Sequence, residues 1–271
     1  MAQQSGQPTV ALSYGEIGAV LSDQERYPEA LEQYDKAYEI NKTLGNRLNI
    51  AYNQANRGEI LWKLGRYPEA EQALSEAQAI ASQPDSLNKP LVPEIERVYS
   101  QMALSERNFP EAKKRAEQAL ALAGTQYRNV TIEAKSTLGL AKALTGSAGE
   151  GKSLCQDSVT LVTYAGDAAL ASRAILTLAE VLFANGEYQA ALDQATQAQT
   201  RFAKSGQQES EWRASLIAAL AAEHLGDQRG AQEHRQHAKE TIGQLQQKWG
   251  TSSFNLYVAR PDVQVSYKQL G

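Results

Sequence analysis

The sequence contains 271 residues with a formal net charge of −4 and a pI of about 5.6, which argues against a general binder of nucleic acids or anionic membranes. Its single cysteine excludes an internal disulfide and favours the cytoplasm. No apolar run reaches the ~18 residues of a membrane-spanning helix, and the polar stretch from Met1 to Thr9 lacks the charged and apolar regions of a signal peptide.

Helical periodicity extends through most of the chain and predicts six helix pairs, preceded by a disordered lead at residues 1–8. The longest interruption, from Ser82 to Pro93, contains three prolines. In chain order, the predicted pairs are 9–23 with 28–44, 47–64 with 68–82, 92–107 with 110–123, 127–145 with 149–164, 167–185 with 187–204, and 208–225 with 227–248. They define repeat units at 9–45, 46–87, 88–124, 125–165, 166–205 and 206–250.

The segment at residues 251–271 follows the last pair and departs from the repeat pattern. It predicts two short helices, Ser252–Ala259 and Pro261–Leu270, separated at the Arg260–Pro261 bond. Its apolar side chains require burial, so we expect this segment to cap the open end of the last hairpin.

One short phrase recurs between the two helices of a pair, first at Arg26–Ala30 and then at Arg66–Ala70, Asn108–Ala112 and Glu187–Ala191. In the first three copies an aromatic residue is followed by proline, glutamate and alanine. Proline suits the first helical position because its missing N–H needs no partner there, and glutamate suits the helix dipole. The phrase therefore marks the junction inside a helix–turn–helix hairpin.

The alanine of this phrase belongs to a grid that spans the chain. Its equivalents are separated by 40, 42, 39, 40 and 40 residues, and a second small residue follows each of them seven positions later. A turn glycine precedes four of them by five positions, with Glu25 and Arg107 in its place in units 1 and 3. A fixed period of such hairpins indicates an all-α solenoid. The six grid positions are Ala30, Ala70, Ala112, Gly151, Ala191 and Ala231.

This pattern resembles the tetratricopeptide repeat family over roughly residues 9–245. Unit 2 shows the family's glycines, turn aromatic and paired alanines as Gly58, Gly65, Tyr67, Ala70 and Ala77. The resemblance implies a right-handed α-solenoid whose first helices line a concave groove, where family members hold extended or helical peptides. Units of about 40 residues exceed the family's usual length of about 34 and resemble those of kinesin light chains, bacterial transcription-regulator arms and peptide-sensing receptors.

The resemblance also assigns a set of side chains to this groove. Trp62 and Phe183 are candidate anchors, because exposed aromatic residues beside arginine are typical of binding hot spots; packing between units is the equal alternative. Gly15, Ala19 and Glu94 occupy positions at which a chaperone-tail clamp has basic residues, so that type of ligand is not expected. The predicted groove residues are Tyr52, Asn56, Glu59, Trp62, Lys63, Arg97, Gln101, Arg173, Thr177, Glu180, Phe183 and Arg213.

Candidate catalytic and metal-binding residues are few, and each has a simpler interpretation. Gly146–Ser153 has the spacing of a phosphate-binding loop, but it lies between predicted helices instead of after a strand. Cys155 is predicted to be a buried thiol. His224, His234 and His237 are predicted to be solvated side chains instead of zinc ligands. The sequence therefore predicts no enzyme, no cofactor and no metal site.

Together these patterns predict a non-catalytic protein–protein interaction scaffold that binds a peptide or partner domain in its groove. We expect it to be the repeat region of a larger bacterial signalling or regulatory protein, cytoplasmic, and a monomer or weak homodimer. No nucleic acid or membrane partner is expected. A self-assembling structural repeat protein is one alternative, and a nucleotide-binding enzyme that uses Gly146–Ser153 is another.

Overall fold

A computed structural model of the chain describes residues 6–83, 87, 89–163 and 166–271. Across these residues the structure contains helices and no strand, and its fold is the all-α solenoid of helix–turn–helix pairs that the sequence predicts. A short 3₁₀ helix, Lys89–Leu91, precedes α5. The α-helices are α1 (Gln7–Asp23), α2 (Tyr27–Leu44), α3 (Arg47–Lys63), α4 (Tyr67–Ala81), α5 (Val92–Ser105), α6 (Phe109–Ala123), α7 (Arg128–Ala143), α8 (Ala148–Thr163), α9 (Ala168–Ala184), α10 (Tyr188–Ser205), α11 (Gln208–His224), α12 (Gln228–Val258) and α13 (Pro261–Lys268).

The predicted lead differs from the structure where it can be compared. Residues 1–5 of that lead lie outside the described residues, whereas Gln7 and Pro8 already belong to α1. Proline in the first turn explains the earlier start, because it needs no N–H partner and its φ is already helical. Pro84, in the predicted interruption, and residue 164, the predicted end of α8, also lie outside the described part of the chain.

The helices pack in the order in which they follow one another. Helix α1 packs on α2, α3 on α4, α7 on α8 and α9 on α10, and α2 with α3, α6 with α7, α8 with α9 and α10 with α11 join successive pairs. The chain forms two compact units. The first comprises Met1–Ile95 and Lys248–Ala259, and the second comprises Glu96–Gln247 and Arg260–Gly271.

The recurring phrase starts the second helix of a pair. Helices α2, α4 and α6 begin at the aromatic residue, so proline is the second helical residue and not the first, one position later than predicted. An N–H at either position has no partner inside the helix, so proline costs nothing there. Glutamate of the first turn is held by the preceding arginine: Arg26 Nε donates to Glu29 Oε1 at 2.7 Å, and Arg66 Nε donates to Glu69 Oε1 at 2.7 Å.

Both alanines of the grid are buried in the five units that carry them. Unit 4 has no such alanines and brings its two helices together through glycine. A methyl group on Gly151 would lie 2.5 Å from the Gly139 carbonyl oxygen, and one on Gly139 would lie 2.6 Å from Cys155 Sγ. Ser158 Oγ donates to the carbonyl oxygen of Ile132 at 2.9 Å. The departure of unit 4 from the alanine pattern therefore supports a closer helix contact.

The turn between the helices of each pair needs one residue with left-handed backbone dihedrals. Gly65 and Gly146 take φ values of 82° and 94°, whereas Glu25 and Arg107 adopt 54° and 61° at the equivalent position. A side chain in this conformation costs about 1–2 kcal/mol relative to the right-handed region. The sequence pattern locates the turns correctly, and the two exceptions to glycine carry strain.

Replacing Arg107 by glycine is expected to raise the free energy of unfolding by about 0.5–1 kcal/mol, because glycine relieves this strain. Loss of the Arg107 guanidinium, 5.2 Å from the Phe109 ring centroid, offsets part of the gain. The matched reverse substitution, Gly146→Ala, is expected to lower stability by about 1 kcal/mol. Urea denaturation of both variants tests the pair; an Arg107→Gly variant less stable than the parent would contradict it.

The segment after α11 contains a backbone break that only glycine readily accepts. Gly250 has φ 76° and ψ 157° within α12, so the helix bends there. The sequence predicts an end of the pattern at this glycine. A second break follows at Arg260, whose extended backbone precedes α13, as the Arg260–Pro261 bond predicts.

Trp249 fixes this segment on the first hairpin. Its indole N–H donates to the Glu25 carbonyl oxygen at 2.9 Å, and its ring centroid lies 5.2 Å from that of Tyr27 and 5.1 Å from that of Tyr257. Lys248 Nζ donates to the Gln24 carbonyl oxygen at 3.5 Å. Of the predicted cap at 251–271, residues 251–259 belong instead to the compact unit of the first hairpins, where the Tyr257 ring contacts Trp249, so these residues do not follow the prediction.

Candidate interaction surface

The described residues include no helix that is both long and apolar enough to cross a membrane. They also include no group of three or more histidine, cysteine or acidic side chains that could hold a metal ion. The remaining candidate sites are the faces of the first helices of each pair.

In the first unit, the predicted groove residues form one stripe along α3. Tyr52, Asn56, Glu59 and Lys63 follow one another at helical spacing, so they share a face. Tyr52 is 40% exposed, and the side chain of half-buried Asn56 makes no hydrogen bond to any residue that the structure describes. Glu59 Oε1 and Lys63 Nζ form an ion pair of 2.8 Å. The stripe offers an aromatic ring and a free amide at one end and a paired charge at the other.

The two predicted aromatic anchors both contact other side chains of the protein. Trp62 is only 7% exposed and belongs to the core. Its burial favours packing between units over a role as a binding anchor. Phe183 is half-buried, with its ring centroid 5.6 Å from those of both Tyr188 and His224. Tyr188 and His224 stack in parallel at 4.1 Å. Phe183 therefore belongs to a cluster of three aromatic rings. The same cluster gives His224 two ring partners that the prediction of a solvated histidine did not include.

In the second unit, a shared carboxylate engages two of the predicted basic residues. Arg97 Nη1 lies 2.7 Å from Glu133 Oε2, and Arg173 Nη2 lies 3.2 Å from Glu133 Oε1. Arg97 Nη1 also donates to Gln101 Oε1 at 2.9 Å, and Thr177 Oγ1 donates to the carbonyl oxygen of Arg173 at 3.1 Å. These side chains connect α5, α7 and α9 and have partners within the fold.

The sequence prediction missed Glu133, although the grid contains the signal that locates it. Glu133 occupies the same repeat position as Tyr52 on α3 and Arg173 on α9, counted from the phrase alanine of each unit. This position is apolar in the first two units, acidic in the next two and basic in the last two. The six residues are Leu12, Tyr52, Glu94, Glu133, Arg173 and Arg213.

Arg213 gathers three carboxylates at the last repeat. Its guanidinium nitrogens lie 3.6 Å from Glu180, 3.4 Å from Glu209 and 3.1 Å from Asp262, and Arg260 pairs with Asp262 at 2.8 Å. Burial opposes ionisation of Asp262, but Arg260 and Arg213 hold its pKa below the usual value. Burial raises the pKa of Glu180 despite the opposing effect of Arg213. The first turn of α13 thus covers Arg213, a side chain that the sequence assigned to the groove.

The Gly-Lys-Ser motif lies inside a helix and not in a phosphate-binding loop. Helix α8 begins at Ala148, and Gly151 is buried against α7. The Lys152 ammonium group pairs with Glu187. A phosphate-binding loop needs backbone N–H groups exposed between a strand and a helix, whereas here the glycine serves helix packing.

Cys155, the candidate nucleophile, is buried, and two of the candidate histidines are part-buried. Cys155 is fully buried with Sγ 3.7 Å from the Ser136 carbonyl oxygen, and burial raises the pKa of its thiol to about 12. A thiol with such a pKa is not a nucleophile at neutral pH. His237 Nε2 lies 2.7 Å from Glu211 Oε1, and burial lowers the pKa of His234. His237 thus has a carboxylate partner on α11 that the sequence did not indicate.

Comparison with known proteins identifies the class to which this fold belongs. Two family models, both described as tetratricopeptide repeat, match residues 9–83 and 176–231. The chain therefore contains tetratricopeptide repeats within these two segments. A search of curated protein sequences found no match.

Several solved structures have a similar fold at low sequence identity. The Rap conjugation gene regulator of plasmid pLS20, in complex with the Phr* peptide, gives a TM-score of 0.69 with 15% identity over 93% of this chain and 69% of that chain. A Rap protein complexed with Competence and Sporulation Factor gives 0.67 with 15% identity over 95% and 72%. A signal transduction ATPase with a tetratricopeptide repeat sensor, from Pyrococcus horikoshii, gives 0.57 with 13% identity over 96% and 38%.

Proposed function

We propose that this chain is a protein-interaction module without catalytic activity, and that it binds a peptide or partner segment on the first helices of its N-terminal repeats. The observation that carries the proposal is the exposed position shared by Leu12 and Tyr52, which are 58% and 40% exposed. Leu48 extends this apolar surface one turn before Tyr52, and the free amide of Asn56 follows one turn after it.

This combination of groups suits a peptide better than it suits a small polar ligand. Apolar side chains that are exposed together favour burial against a partner. An amide both donates and accepts hydrogen bonds, so Asn56 can pair with the backbone of an extended segment. The arginines of the second unit are already engaged by Glu133 and by Asp262, which makes that face the weaker candidate.

The similar folds support the proposal that the ligand is a peptide or a protein segment. Two of the similar structures are Rap proteins solved in complex with the Phr* peptide and with Competence and Sporulation Factor. The ATPase from Pyrococcus horikoshii, of which this chain covers 38%, is described as having a tetratricopeptide repeat sensor. We therefore place this module in a larger bacterial signalling or regulatory protein of the cytoplasm, acting as a monomer or weak homodimer.

A capture experiment with matched variants tests the proposal. The immobilised chain is exposed to native lysate, the retained protein is identified by mass spectrometry, and its affinity is measured for the parent and for Tyr52→Ala. Loss of a central aromatic contact is expected to weaken binding by roughly 30-fold, equivalent to about 2 kcal/mol. Gln72→Ala, an exposed change on α4, should leave affinity unchanged.

Circular dichroism of both variants checks that they fold, which an exposed position such as Tyr52 should permit. Equal affinity of the parent and the folded Tyr52→Ala variant would place the binding surface elsewhere and contradict the proposal. Asn56→Ala supplies a second variant, whose expected loss is smaller because it removes hydrogen bonds and little apolar surface.

A further inference from the structure

Helix α1 exposes a second apolar face that the proposed peptide surface does not use. Val10, Ile17 and Val20 are 46%, 47% and 56% exposed, and exposed Ser13 lies between them on the same side of the helix. Leu12 lies on a different side of α1. Large apolar side chains aligned on one helix face require burial to contribute to stability.

The equivalent face of α3, one repeat later, has packing partners within the chain. Asn53, which corresponds to Ser13, accepts a hydrogen bond at Oδ1 from Asn41 Nδ2 of α2 at 2.8 Å. Arg57, which corresponds to Ile17, donates from Nε to Asp35 of α2 at 2.6 Å. Ile60, which corresponds to Val20, is buried. In the second repeat, therefore, this face packs on the second helix of the preceding hairpin.

In the second compact unit, the same face also packs on the second helix of the preceding hairpin, and the residue equivalent to Ser13 is alanine. Ala134 of α7, equivalent to Ser13, packs in one apolar cluster with Ala119 and Ala123 of α6. Ala214 of α11, equivalent again to Ser13, packs in one cluster with Ala198 and Phe202 of α10. The positions equivalent to Ile17 and Val20 are buried in these repeats; they are Leu138 and Ala141 on α7, Leu178 and Val181 on α9, and Ala218 and Ala221 on α11.

We propose that the outer face of α1, formed by Val10, Ser13, Ile17 and Val20, is a docking face for the second helix of another helical hairpin of the same repeat type. The occupant is an amphipathic helix that presents an alanine and a second apolar residue four positions later, because the equivalent face meets Ala119 with Ala123 and Ala198 with Phe202 in this chain. This face has Ser13 and Ile17 where α3 has Asn53 and Arg57, and it therefore selects an occupant helix like α6, whose contact surface is alanine.

A second copy of this chain does not fit the face. The second alanine of the grid is already buried in every described unit that has one, including Ala238 on α12, so a copy has no free alanine row to offer. The occupant is therefore a hairpin of another polypeptide segment. This docking face is separate from the Leu12 and Tyr52 surface, and the two proposals can fail independently.

A fusion supplies the proposed occupant in register. A copy of residues 89–127, which contains the α5–α6 hairpin and its turn, is joined directly before Gln7, because Arg128 and Gln7 occupy equivalent repeat positions. Hydrogen exchange of the α1 amides is compared between the fusion and the full chain. Docking is expected to slow their exchange about tenfold or more, since a repeat gains stability from its neighbour.

Matched substitutions make the result specific. Ile17→Asp should abolish the slowing in the fusion while leaving the unfused chain nearly unchanged, because Ile17 is exposed there. Leu12→Asp, on another side of α1, should preserve the slowing. No slowing, or slowing that survives Ile17→Asp, would overturn the proposal. Concentration-dependent dimerisation of the unfused chain that Ile17→Asp abolishes would assign the face to a second copy and would overturn it equally.

Discussion

Replacement of Gly151 by alanine is expected to lower the free energy of unfolding by about 3 kcal/mol, a large effect for one methyl group. The added carbon would lie 2.5 Å from the Gly139 carbonyl oxygen and 2.8 Å from the Ala143 backbone nitrogen. Both neighbours are backbone atoms, which cannot rotate away as a flexible side chain can. Overpacking of this kind costs typically about 1–3 kcal/mol, and we place this contact at the upper end because α7 and α8 must separate along their length.

Gly149→Ala is the matched control for this prediction. Gly149 lies two positions earlier in the same helix, and a methyl group on it would meet no atom within 4 Å. There alanine should stabilise by about 0.5–1 kcal/mol, because it favours helix and restricts the unfolded chain. Urea denaturation followed by circular dichroism measures both. Equal stability of the two variants would refute the glycine contact as the basis of packing in unit 4.

Truncation of Trp249 to alanine is expected to cost about 3–5 kcal/mol of stability in the first unit, the usual range for deletion of a buried large aromatic side chain. The change removes the ring packed on Tyr27 and Tyr257 and leaves the Glu25 carbonyl oxygen without its indole donor. Hydrogen exchange should also accelerate at residues 251–258, because the adjoining segment loses its main attachment to the first hairpin.

Trp249→Phe separates the two contributions. Phenylalanine keeps an aromatic ring but not the N–H donor, so its expected cost is about 1–3 kcal/mol for a buried acceptor left unpaired. Leu256→Ala, at an exposed position of the same segment, should change stability by less than about 1 kcal/mol. If Trp249→Ala behaved like Leu256→Ala, residues 248–257 would not depend on this contact.

Most of the fold could be predicted because the residues that determine each hairpin lie close together in the sequence. Aromatic, proline, glutamate and alanine residues at the phrase determine where a second helix begins, and the turn glycine five positions before the alanine determines the bend. The predicted helices of all six pairs agree with the observed ones within about two residues, apart from the extension of α12 across Gly250. Local chemistry is sufficient for these features because every partner lies within one hairpin.

The features that sequence reasoning missed depend on partners far apart in the chain. Nothing near Trp249 in sequence indicates that it pairs with Glu25, since 224 positions separate them. Likewise, Glu133 joins Arg97 and Arg173 from neighbouring helices, and the geometry of helix packing, which the repeat period does not specify, decides whether such side chains meet. The groove assignment could not tell a paired arginine from an available one.

The contact between Trp249 and Glu25 has a consequence for the order in which the protein is built on the ribosome. The N-terminal hairpins contain mainly local contacts and can form as soon as they emerge, because loop closure within a hairpin is short. The first unit nevertheless remains incomplete until residues 248–257 have been translated. During synthesis of the intervening repeats Tyr27 therefore lacks the Trp249 ring that later packs on it, and the nascent chain presents an unfinished surface to chaperones for most of its translation.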